Sequence, residues 1–118
     1  MLAIVSCCVA LAACTAGKAK AHGGVPQHVD RALHHASRVF NVSYWDMRTV
    51  TFCESRWNPR AVGNGSYGLA QFLPSTWAHV TSSWGYGHRW ILSGWWSAMA
   101  MGWLVRQDGG FREWTCRP

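Results

Sequence analysis

The sequence predicts a mainly α fold, with a short turn-rich β region set between its helices. Three observations carry this. Apolar residues recur at helical spacing on both sides of the chain's middle. The stretch from Val62 to Phe72 is instead broken by Gly63, Gly65 and Gly68 with Asn64 beside them, which marks turns flanking short extended pieces. The segment from Ser93 to Gln107 is apolar on nearly all sides, as a helix buried at the centre of a small domain would be.

Taken in order, Met1 to Ala13 is almost wholly apolar, too short for a stable membrane span and long enough for the hydrophobic part of a signal peptide. Residues 1–21 are therefore expected to be a leader, residues 22–118 a single domain, and the protein exported. Two processing signals overlap. Leu11-Ala12-Ala13-Cys14 resembles a lipobox, which would place a lipid on Cys14 and tether the protein to the envelope, and Ala19-Lys20-Ala21 is a small-x-small site that would free it with His22 first. Both readings stay open.

After the linker Gly23 to Pro26, Val29, Leu33, Ala36, Val39 and Phe40 mark a first helix over Gln27 to Phe40, ended by Asn41. Ser43, with Asp46 three residues on, resembles a capping box and opens a second helix with Met47, Val50 and Thr51 on one face. Asn58-Pro59 stops it just past Glu54. Pro74 suits a first helical position and starts a third helix carrying Trp77, Val80 and Trp84. A Gly85-Tyr86-Gly87 connection leads to the last helix, which is too short and too glycine-broken to span a membrane and ends at Gly109-Gly110.

Beyond the leader the chain has nine arginines and no lysine against five acidic residues. The arginines are scattered from Arg31 to Arg117 and form no cluster or nucleic-acid motif, so an exported basic protein points to the polyanionic wall. Cys7, Cys8 and Cys14 belong to the leader, which leaves Cys53 and Cys116 as the expected disulfide of an oxidising compartment. His34-His35, His28 and His79 have no ligand partners at metal spacing, and neither metal nor cofactor is expected. Most of the nine tryptophans are expected in the core.

Glu54 is one of two glutamates. The residues around it, Glu54-Ser55, Trp57, Asn58-Pro59, Gly68-Leu69-Ala70-Gln71 and Pro74-Ser75-Thr76, resemble the lysozyme-like domain of soluble lytic transglycosylases and goose-type lysozymes. In the shortened segment between Asn58-Pro59 and Gly68-Leu69, the sequence is more similar to the resuscitation-promoting factors. Cys53-Glu54-Ser55, Gly63-Asn64-Gly65, Tyr67-Gly68, Gln71-Phe72 and Thr76-Trp77 carry that likeness. It covers about Phe40 to Cys116, and it implies a lysozyme-like α+β fold with an active-site groove beside the β region. It also implies a monomer acting on peptidoglycan glycan strands alongside other wall hydrolases, with a disulfide between Cys53 and Cys116.

Breaking a glycosidic bond needs an acid that stays protonated near neutral pH. The end of a helix and the apolar surface expected from Phe52, Trp57 and Phe72 would keep Glu54 so. A second carboxylate is harder to find: Asp46 is eight residues back, about 12 Å along the helix, and no motif favours Asp30, Asp108 or Glu113. The expectation is a lytic transglycosylase with Glu54 as its single acid and base. A hydrolytic muramidase and a non-catalytic wall-binding module are the alternatives. The resemblance implies that Gln71 and Thr76 bond the glycan, that Tyr67 orients Glu54 or the sugar, and that Ser55 accompanies the acid as a further substrate-binding residue. Trp57 and Trp84 are the expected groove aromatics.

Overall fold

The computed structural model describes residues 24–84 and 90–118. The expected leader, lipidation of Cys14, cleavage after Ala21 and the Gly85-Tyr86-Gly87 connection lie outside the described residues. Four helices account for most of the described chain: α1 (Gln27–Phe40), α2 (Tyr44–Ser55), α3 (Pro74–Ser83) and α4 (Gly94–Asp108).

Local chemistry sets each boundary. Asn41 takes a left-handed conformation (φ 54°) and its N–H closes α1 on the Ser37 carbonyl. The Ser43 hydroxyl accepts from the Asp46 N–H at 3.2 Å and opens α2, and Ser93 caps α4 in the same way through Trp96. Pro74 occupies the first turn of α3, where its missing N–H removes nothing. Gly109, at φ 73°, ends α4. The expected helix over Ser93 to Gln107 is thus displaced by one residue at each end.

α4 is the central element, packed along α1 and touching α3. It can lie close because Ala98 and Gly102, one turn apart on the same side, are small and buried. A Cβ on Gly102 would sit 2.8 Å from the Phe40 ring and 3.4 Å from the Ala36 carbonyl oxygen. Val29, Leu33, Met47, Val50, Leu69, Val80 and Met101 fill the interior. Val39 was expected on the buried face but is 51% exposed. At 100° per residue it falls about 80° from the line through Val29, Leu33 and Ala36, at the edge of the apolar face.

The expected β region is reduced to two isolated antiparallel bridges, Val62 with Tyr67 and Tyr67 with Phe72. The chain reverses within four residues on each side of Tyr67, so neither pairing has room to extend into a ladder. Three of the nine tryptophans, Trp57, Trp77 and Trp114, are buried, whereas Trp45, Trp90 and Trp95 are exposed. Trp84, Trp96 and Trp103 are partly buried and pack against the core, so six of the nine lie in it or on it, as expected for most of them. No described helix is long and apolar enough to cross a membrane.

Cys53 and Cys116 are disulfide-bonded across a separation of 63 residues, pinning the C-terminal tail to the end of α2. A loop of that size should stabilise the fold by about 4 kcal/mol through the entropy it removes from the unfolded chain. Cys116→Ser should lower the unfolding free energy in urea by about that amount. A loss below about 1 kcal/mol would mean that the tail is held by its packing alone.

Candidate active site

Glu54 lies in the last turn of α2, with the reversed tail beside it. The Cys116 N–H donates to its Oε2 at 3.4 Å. Burial pushes the Glu54 pKa above the ordinary carboxylate range, and the Cys116 N–H pulls it back in part. The disulfide next door holds both effects in place. Directly after Ser55, Arg56 (φ 55°) and Trp57 (φ 59°) are both left-handed, a conformation that disfavours side chains with a Cβ. Burial of Trp57 and its Nε1–H donated to the Arg48 carbonyl at 3.0 Å oppose that strain and fix where α2 stops.

Ser55 is buried, and its hydroxyl reaches the Leu69 carbonyl at 2.6 Å and the Thr51 carbonyl at 3.0 Å. It ties the end of α2 to the turn at Gly68-Leu69-Ala70-Gln71. Its oxygen is engaged inside the protein, so Ser55 positions its neighbour Glu54 and does not face a ligand. That corrects the expectation of a substrate contact.

The turn itself is heavily bonded. Gly68 has φ 82°, and a Cβ there would lie 2.3 Å from the Ile91 carbonyl oxygen, so only glycine fits without displacement. Gln71 is also left-handed (φ 52°). Its amide donates to the Ala61 and Gly68 carbonyls at 3.1 and 2.9 Å and accepts from the Ser66 hydroxyl at 2.9 Å. A Cβ on Gly63 would meet the Gln71 Oε1 at 2.2 Å, so that glycine is the space the amide occupies. Both Gln71 amide hydrogens are engaged, and one carbonyl lone pair is left for anything outside.

Tyr67 is half-buried and pairs with Phe72 through backbone bonds of 2.9 and 3.0 Å. Thr76, in the first turn of α3, borders a small pocket of about 50 Å³ together with Gln71, Phe72, Leu104, Trp114 and Glu113. The structure thus brings Gln71 and Thr76 together and adds Glu113, a carboxylate for which no motif spoke. Its position three residues before the disulfide cysteine was the signal available in the sequence.

Two expected groove aromatics are placed elsewhere. Trp57 is 8% exposed and belongs to the core. Trp84 lines a separate apolar pocket of about 240 Å³ with Phe40, Trp96, Met99 and Trp103, which includes neither Gln71 nor Thr76. Of the apolar rings expected around Glu54, Phe52 and Trp57 pack together with ring centres 4.5 Å apart, and Phe72 stands elsewhere. Phe52 is 40% exposed under the Arg56 guanidinium, and Phe72 packs edge-on against Trp77 and Trp114.

The remaining carboxylates are engaged at other points. Asp30 accepts a short hydrogen bond from the Tyr44 hydroxyl, whose pKa is pushed up to about 12 by burial and by that carboxylate. Asp108 pairs with Arg112 at 3.9 Å. Asp46 lines a larger cleft than the Thr76 pocket, about 300 Å³, with Ser43 and Arg106. That cleft lies at the opposite end of α2 from Glu54, so size alone does not mark the reactive site. Among the described residues no three His, Cys, Asp or Glu side chains gather where they could hold a metal ion.

Two stability measurements test this arrangement. Ser55→Ala leaves the buried Leu69 carbonyl without its donor and should cost about 1–3 kcal/mol in urea unfolding. Glu54→Gln should act in the opposite direction. A carboxyl whose folded pKa is raised loses its contribution to stability as pH rises through that pKa. The variant should therefore melt no lower than the parent at about pH 7, with any gain vanishing near about pH 3, where both side chains are neutral. A lower melting temperature at neutral pH only would show that the ionised carboxylate is held favourably. No family model, curated protein or solved structure matches this chain, and the site stands on its own residues.

Proposed function

We propose that residues 22–118 form a lysozyme-like domain that acts outside the cytoplasm as a peptidoglycan lytic transglycosylase. It would cleave the β-1,4 bond between N-acetylmuramic acid and N-acetylglucosamine. The observation that carries this reading is the carboxyl of Glu54, whose pKa is raised by burial while it is held at a helix end by the disulfide-bonded tail. Support for the fold comes from the order of parts: a helix ending in the acid, a bridged turn, then a helix opened by Pro74-Ser75-Thr76. In this reading the β part of the lysozyme-like fold is pared down to the bridges around Tyr67.

The reaction needs one proton donor that later becomes a base. Protonated Glu54 gives its proton to the glycosidic oxygen as the bond from C1 of the muramic residue to that oxygen breaks. The C6 hydroxyl of the same sugar attacks C1, and the Glu54 carboxylate takes the hydroxyl proton and is restored. No water enters, and the product ends in a 1,6-anhydro ring. The attacking hydroxyl is already tethered, which gives it a high effective molarity. Ser55 holds Glu54 in position through Leu69, Thr76 offers a hydroxyl to the sugar, and the Gln71 amide, with both hydrogens engaged, keeps the turn in shape. The partner is the glycan strand, with other wall hydrolases as companions, and the protein acts as a monomer, secreted or anchored through Cys14.

One observation favours hydrolysis instead. Glu113 borders the Thr76 pocket on the same tail that brings Cys116 to Glu54, where a second carboxylate could activate water. Product analysis separates the two.

Digestion of purified peptidoglycan should release muropeptides with 1,6-anhydro ends, lighter by one water than reducing ends in mass spectrometry. Predominantly reducing ends that disappear in Glu113→Gln would move the assignment to a muramidase. Glu54→Gln should lower cleavage by about 10²–10⁴-fold or more. In the parent, the rate should fall as pH rises through the raised Glu54 pKa, because the acid form is lost. Cleavage by the Glu54→Gln variant at the parental rate would remove Glu54 from the chemistry.

A further inference from the structure

The outward face of α2 alternates aromatic rings with guanidinium groups. Trp45, Arg48 and Phe52 recur at helical spacing within about 60° of arc, and Arg56, the left-handed residue just past the helix, lies over Phe52. Trp45 is 68% exposed and Phe52 40%. The Arg48 guanidinium lies 5.5 Å from the centre of the Trp45 ring and 4.9 Å from that of Trp57, and Arg56 lies 5.1 Å from Phe52. A third pair of the same build follows in sequence, Arg60 at 5.3 Å from Trp90, whose ring is 59% exposed.

Large rings are usually covered, and this face leaves two of them in water between cations on a convex helix surface. Rings that serve a sugar strand line a cleft, yet the clefts around Asp46, Thr76 and Trp84 are lined by other residues. A flat partner of opposite charge suits this face better. Beyond the expected leader nine arginines stand against five acidic residues, and Glu54 lies roughly opposite this face around the helix.

We propose that this face of α2 docks the protein on the surface of an anionic lipid bilayer. The exposed Arg56 would meet lipid phosphates, with the half-buried Arg48 adding its charge from between Trp45 and Trp57, while Trp45 and Phe52 enter the headgroup layer, where indole and phenyl rings are favoured beside cations. Stacking against the rings already holds each guanidinium over the surface that would be covered. Docking in this orientation turns Glu54 away from the lipid. The inference depends on the composition of one helix face and is independent of the reaction Glu54 performs.

Hydrogen exchange across Tyr44–Ser55, read by mass spectrometry on the exported protein, tests it whether that protein is free or tethered through Cys14. Vesicles of phosphatidylcholine with about one third phosphatidylglycerol should slow exchange in this helix severalfold, and vesicles of phosphatidylcholine alone should not. The slowing should disappear at about 0.5 M salt and in Trp45→Ser or Arg56→Gln, two exposed positions whose replacement leaves the core untouched. The proposal is overturned by equal protection on neutral vesicles, by protection that survives both substitutions, or by no protection at all. Protection by soluble polyphosphate but not by anionic vesicles also overturns it, in favour of an anionic polymer.

Discussion

A buried turn must find a partner for every backbone polar group, and the turn at Leu69-Ala70 is wholly buried. Its partners come from three separate parts of the chain. The Leu69 carbonyl accepts from Ser55 at the end of α2, the Ala70 N–H donates to Ser97 in α4 at 3.1 Å, and the Ala70 carbonyl accepts from the Trp114 indole at 2.7 Å. Each bond is short-range, yet together they lock two helices and the tail to one point. The positions of Glu54, Gln71 and the tail follow from it. Loss of any one donor strands a buried carbonyl or amide, which is dearer than the net worth of the bond itself.

The extent to which the structure could be read in the sequence follows the range of the interactions involved. Ser43, Pro74 and Gly109 act within one turn of themselves, so the helix boundaries they set were readable. The disulfide was readable as well, because only Cys53 and Cys116 remain outside the expected leader. The roles of Ser55 and Trp57 were not. Whether a serine hydroxyl or an indole faces in or out is decided by elements far away in sequence, here Leu69 and the backbone of Arg48. Trp84 failed for the same reason: its ring is enclosed by Phe40, Trp96 and Trp103, from the two longest helices. Glu113 could be named as a candidate but not chosen over Asp30 or Asp108, because a carboxylate in a short tail has no pattern until the tail is folded back.

The distribution of charge along α2 separates two kinds of chemistry on one helix. Asp46 sits at the start, where the helix dipole favours an anion. Glu54 sits at the end, where the dipole opposes ionisation and burial does so further. Two carboxyl groups eight residues apart thus sit at opposite ends of the helix dipole. Tyr44 and Asp30 tie the same end of α2 to α1, so the helix that carries the acid is braced at its start by a hydrogen bond and at its end by the buried turn.

The covalent loop between Cys53 and Cys116 encloses the turn, α3 and α4, but leaves all of α1 and most of α2 outside it. α1 nevertheless supplies the broadest surface that α4 packs on. The domain therefore divides into a cross-linked half and an unlinked strap. When the protein breathes below global unfolding, α1 can peel from α4 without straining the cross-link, exposing the small-residue seam at Ala98 and Gly102 while the enclosed turn keeps its bonds. A protease would meet α1 first, and the linked half would then have lost its largest apolar cover with its covalent frame still closed.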